Sequence, residues 1–136
     1  MNLKEHRILS GFLWLVALHS FLVGIGLIVL PSSAFEFFGY EQTFDRFFSS
    51  QGGVFHIAMA VCYGLAGYDK IRYKSLILFT IVVKLMATVF LASYYLFVSS
   101  QWLIIISCLS DLSMGLIVFY LYRVLFREKY FNQALP

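Results

Sequence analysis

The sequence predicts an all-α integral membrane protein, a four-transmembrane-helix bundle with both termini cytoplasmic and a short interfacial helix in the first outer loop. Three observations predict it. Of 136 residues, 61% are hydrophobic and only 12% charged, too little polar material to clothe a soluble domain. Apolar stretches near the ~20 residues that a helix needs to cross hydrocarbon recur at about 8–30, 50–68, 73–98 and 102–125. Lys and Arg gather on alternate connections. Lys4 and Arg7, then Lys70, Arg72 and Lys74, then Arg123, Arg127 and Lys129 fall on one side, against Arg46 on the other, which the positive-inside rule reads as cytoplasmic termini. The spans use most of the chain, so residues 1–136 read as a single membrane domain.

In chain order, the first span reads as a retained anchor. Ser32 and Ala34 make a small-x-small pattern after it, but the apolar run exceeds the ~7–15 residues of a signal-peptide core. Pro31 should stop it. The outer loop, 31–49, is studded with Phe35, Phe37, Phe38, Tyr40, Phe44, Phe47 and Phe48. Ser33-x-x-Glu36 is a capping-box pattern for a short helix, and Gly39 is placed to end it. Such aromatics either lie at the water–lipid boundary or fold over the bundle as a lid. The second span carries Gly52, Gly53, Ala58, Ala60, Gly64, Ala66 and Gly67, small residues that let helix backbones approach closely in lipid. A short basic turn, Asp69 to Lys74, leads to the third span. A tight turn at about Ser99–Gln101 joins it to the fourth.

Two charges stand inside these last spans, Lys84 and Asp111. Folding the hairpin about its turn brings them within about one helical turn, roughly 6 Å along the axis. Both lie near the middle of a core about 30 Å thick. A charge there costs at least roughly 3 kcal/mol on insertion scales, so such residues face inward and pair. Thr80, Ala87 and Thr88 share the Lys84 face, and Ser107, Ser110 and Gly115 the Asp111 face. The pair reads either as a register-fixing ion pair or as a proton or substrate site.

His6 reads as a solvated terminal residue. His19 falls near the middle of span one and His56 in span two. Two readings stay open: a His19–Asp111–Lys84 cluster hydrogen-bonded within the bundle, which would also begin a proton relay, and a b-type haem held by His19 and His56. Tyr94, Tyr95, Phe97, Trp102, Phe44, Phe47 and Phe48 could shape a pocket for a quinone or lipid tail; an interfacial belt is the plainer reading. Cys62 and Cys108 fall within spans without metal-ligand spacing and read as small hydrophobes. No Walker loop, GxGxxG, HExxH or GxSxG occurs, and no basic-aromatic strip for nucleic acid stands clear of the spans. Nothing here argues for an enzyme.

Taken together, four short spans, an aromatic first outer loop beginning Leu30-Pro31, a second span entered at Gln51-Gly52-Gly53, Lys84 in span three and Asp111 in span four resemble the DoxX-like small four-helix membrane proteins of bacteria. In that family arginine is more usual at the Lys84 position and at the start of the second span, where Ser49 and Ser50 stand here. The resemblance implies the four-helix fold, a bacterial cytoplasmic (inner) membrane location and association with quinone-linked redox complexes. Three functions are therefore expected in competition: a non-enzymatic subunit or small-molecule or lipid-binding bundle built on Lys84–Asp111; a redox- or quinone-associated protein, with haem on His19 and His56 as one form; and a proton or small-solute transporter using His19, Asp111 and Lys84. The expected partners are membrane lipids and other membrane subunits or further copies of the chain.

Overall fold

The structure, a computed structural model, describes residues 3–39, 46–128 and 130–132, with backbone only at 3, 4 and 132. Tyr40, Glu41, Phe44 and Asp45 of the first loop, and Lys129, lie outside the described residues. The chain is all-α. Its elements are α1 (Leu3–Val29), α2 (Ser32–Phe37), α3 (Arg46–Tyr68), α4 (Lys74–Phe97), α5 (Trp102–Arg127) and a closing 3-10 turn at Tyr130–Asn132. Three helices, α1, α4 and α5, are long and apolar enough to cross a membrane. The fourth long helix, α3, owes its lower apolarity to the same glycines and serines that let it pack.

The long helices alternate in direction. The α1 and α3 helices pack most intimately together, as do α4 and α5, and lighter α1–α5 and α3–α4 contacts close the ring. Both described chain ends and the α3–α4 turn lie at one end, the base. The α2 helix and the α4–α5 turn lie at the other, the rim.

The residues explain the joints. Pro31 has no amide proton, and α1 ends before it, its last turn closed by the Leu30 N–H on the Gly26 carbonyl at 3.0 Å. The α2 helix starts at Ser32 with Pro31 as its N-cap and no side-chain cap bond, so the Ser33–Glu36 capping box does not form. Gly39 does end the segment as expected. Its φ of +89° is open to glycine without strain, and its N–H closes on the Glu36 carbonyl at 2.8 Å. The α3 helix begins at Arg46, earlier than the hydropathy edge near residue 50. The Arg46 guanidinium donates to the Ile28 and Leu30 carbonyls at 2.9 and 3.1 Å, capping the carbonyl end of α1, where a cation is favoured. At the rim, Gln101 donates to the Gly39 carbonyl at 2.5 Å, and Phe38 lies 5.8 Å from Trp102. The short helix is thereby tied to the α5 end, while Phe37, Phe47 and Phe48 face outward.

Burial is inverted relative to a soluble protein. Leu15, Leu22, Phe79, Val82, Met86, Val89, Phe90, Ile106, Leu109 and Phe119 point outward, whereas Ser20, Thr80, Lys84 and Asp111 are buried. An apolar exterior of this extent suits lipid and not water. The apolar core runs from Leu9, Leu13, Val16 and Ala17 across Tyr63, Ala66, Ile77 and Ile81 to Met114, Val118, Leu121, Leu125 and Phe131. This cluster lies mainly in the base half, while Ile104 and Cys108 of α5 are buried nearer the rim.

The base also corrects one reading. His6 is half-buried and stacked on Tyr130, centroids 5.8 Å apart and planes at 12°. The tail folds back because Phe131 is apolar enough to join the core, and Lys74 sits over the Phe126 and Phe131 rings at 5.1 and 5.3 Å.

Candidate functional site

The polar residues inside the bundle gather into one layer. Lys84 on α4 donates to Asp111 Oδ1 on α5 at 2.5 Å. Lys84 is 4% exposed and Asp111 8%, so the expected pair exists and is enclosed. Gly115 makes room for it. A Cβ there would stand 3.2 Å from Lys84 Cβ, so the lysine backbone lies beside Gly115 and its stem runs one turn along α5 to Asp111. Tyr63 on α3 lies below, with the ammonium 5.8 Å from its ring centroid, close enough for a cation–π attraction.

The α1–α3 pair supplies the other half. Ser20 is buried, and its hydroxyl donates to the His56 carbonyl at 3.0 Å while meeting His56 Nδ1 at 3.3 Å. A hydroxyl has one proton. With that proton on the carbonyl, Oγ can only accept from the ring, so Nδ1 carries the imidazole proton and Nε2 is left as its acceptor. His19, one residue from Ser20, has a buried Nδ1 with no partner. Each of His19, His56, Lys84 and Asp111 lies within about one helical turn of the middle of its helix.

Fewer residues are buried rimward of this layer, Ile104 and Cys108 of α5 among them. Rimward of it, α4 has no buried residue. The buried residues of α1 and α3 there, Gly24 and Gly53, pack on each other. On α5, Cys108 turns to α4 and meets the Thr88 carbonyl at 3.5 Å. Thr80 and Thr88 spend their hydroxyls on their own helix, bonding the Leu76 and Lys84 carbonyls at 2.7 and 2.8 Å, and add no free group to the layer.

The ion pair was legible in the sequence from its isolation, and Gly115 from its place on the Asp111 face. Gly24 was not, since a glycine in an apolar span carries no sign of what it will touch. A haem gripped by both histidines does not sit well here. At their level α1 and α3 are joined directly by the Ser20–His56 bonds, which a haem held between those two helices would have to break. Cys62 and Cys108 are free thiols. No group of three metal-binding side chains occurs among the described residues.

Comparison with known proteins gives no match to a family model, a curated protein or a solved structure. The site's chemistry has to be argued from its own residues.

Proposed function

We propose that this chain is a non-enzymatic four-span membrane bundle, with cytoplasmic termini and α3 as its fourth span, that binds a small polar-headed ligand at the Lys84–Asp111–His19–His56 layer. One observation carries this. The layer has more hydrogen-bonding capacity than it uses: His19 keeps a buried Nδ1 without a partner. An ion pair serving only to fix register would need neither imidazole. The layer sits at the rimward edge of the main apolar cluster, so a ligand would enter from the rim half. The resemblance to DoxX-like bundles makes quinone-linked redox partners and a bacterial inner membrane the first setting to examine.

The test is native mass spectrometry, with an absorption spectrum, on protein extracted gently from its own membrane. A stoichiometric small-molecule adduct is expected in the wild type and should be lost in His19→Ala, which leaves the ion pair whole. An adduct retained by His19→Ala places the ligand elsewhere. A wild type without any adduct, recovered only with partner subunits, makes the layer a structural joint.

A second reading, a proton path, is favoured by the two imidazoles standing near the mid-helix level of the Lys84–Asp111 pair. It predicts pyranine-detected proton flux in proteoliposomes that Asp111→Asn abolishes. The absence of flux in wild type removes it.

A further inference from the structure

Away from that layer, the outward face of the α1–α3 pair holds a groove of about 580 Å³, within the range of small-molecule sites. Its floor is Ala17, Ala60 and Gly64, and Trp14, Phe21 and Tyr68 stand along it. The lining is almost wholly apolar. An apolar lining of this kind suits a hydrocarbon chain.

The base end of the groove is charged. On α1 the groove residues Trp14, Leu18 and Phe21 continue down one stripe through Gly11 to Arg7, in steps of three and four. On α3 the facing stripe, Ile57, Val61, Gly64 and Tyr68, ends with the helix at Tyr68. Asp69 then opens a separate turn, its carboxylate accepting from the Ile71 and Arg72 N–H groups at 3.1 and 3.0 Å, and that turn carries Arg72 at the base. Trp14 lies against Gly64 and Gly67, and the Ser10 hydroxyl donates to the Gly67 carbonyl, so one turn further down Arg7 meets the Asp69–Tyr73 turn. Both arginines are exposed. The structure pairs neither with a carboxylate among the described residues. Arg72 rests over the Tyr73 ring at 5.5 Å from its centroid.

We propose that the groove and the Arg7–Arg72 pair form one site for an anionic phospholipid of the base-side leaflet, with a chain along the groove and the phosphate between the guanidiniums. Two arginines at the end of an apolar slot match that chemistry, and a zwitterionic lipid satisfies them less well. The site rests on membrane insertion of α1 and α3 and is independent of any ligand at the polar layer.

The experiment reconstitutes the full chain with equal amounts of phosphatidylglycerol and phosphatidylcholine and reads retained lipid by native mass spectrometry. One phosphatidylglycerol per chain is expected. Arg7→Gln with Arg72→Gln should lower its preference by about tenfold or more, since each arginine near a charged surface is worth about a factor of five. Removing equal charge across the bundle with Arg123→Gln and Arg127→Gln should leave the preference intact. Val61→Trp, which fills the groove from an exposed position, should reduce retention with both arginines present. Circular dichroism and Tm confirm that each variant is folded. Preference surviving Arg7→Gln/Arg72→Gln, equal loss in the Arg123/Arg127 control, or unchanged retention in Val61→Trp overturns the proposal, and a dimer in place of the lipid adduct assigns the groove to a second copy. Release of the wild-type chain from membranes by alkaline carbonate would instead overturn the membrane reading itself.

Discussion

The two tight seams of this molecule are built by opposite means. The α1–α3 seam is made by removing side chains. A Cβ on Gly24 would lie 2.7 Å from the Gly53 carbonyl oxygen, and one on Gly53 would lie 2.6 Å from the Gly24 carbonyl oxygen and from Ile28 Cγ1. The backbones touch there, and dispersion between close helices holds them where lipid offers no hydrophobic drive. The α4–α5 seam is made by inserting a charge pair, Lys84–Asp111, with only Gly115 cleared to admit it. The first seam tolerates no added atom at Gly24 and Gly53 and holds no buried ion pair, only hydrogen bonds such as Ser20 on His56. The second tolerates small changes in volume but not the loss of one partner, because the other is then stranded away from water.

The contrast can be broken from either side. The largest effect is expected at the charged seam. Lys84→Met keeps the stem volume and removes the ammonium, and should cost about 3–5 kcal/mol by leaving Asp111 buried and unpaired. Thermal unfolding in detergent, followed by circular dichroism, would show it as a large fall in Tm. At the glycine seam, Gly53→Ala should cost about 1–3 kcal/mol, since backbone and not a flexible side chain blocks the new methyl. The same unfolding assay measures it, and a Tm equal to wild type would mean that the helices do not touch there. Gly115→Ala should cost less, on the order of 1 kcal/mol, because the new Cβ meets Lys84 Cβ at 3.2 Å and the lysine stem can yield by a few tenths of an ångström.

The smallest effect is expected at the base, outside both seams. Lys70 is 8% exposed, and burial holds its ammonium below the ordinary lysine value of 10.5, with Asp69 opposing the shift. The folded chain thus gives up this proton at lower pH than the unfolded chain does. In that window the unfolded state binds more protons, so this residue's contribution to stability rises with pH. Lys70→Met should raise Tm slightly at neutral pH, and its advantage should shrink as pH climbs to 10.5 and beyond. An advantage that grows with pH would contradict the assigned cause.

The charged seam was far more legible in the sequence than the glycine seam, for a physical reason. A lysine or aspartate in an apolar run has one affordable fate, to turn inward and find its opposite, so Lys84 and Asp111 announce both their burial and each other. Apolar residues face lipid and protein alike, and hydropathy cannot tell which face of α1 packs on α3. The glycines of α3 were visible as packing residues, but their partner Gly24 was not. Helix edges failed where a polar side chain did a structural job: Arg46 reads as a loop charge until it is seen capping α1. At Tyr130–Asn132 the tail showed only its neighbouring charges, and Phe131 joins the core.

The central claim is that Lys84 and Asp111 act as one unit inside the bundle. The most direct test is a double-mutant cycle on thermal unfolding with Lys84→Met, Asp111→Leu and the combined variant. The account predicts that the combined variant is more stable than Lys84→Met alone, because removing both charges leaves nothing stranded. A combined variant as damaged as the sum of the two single variants would contradict it.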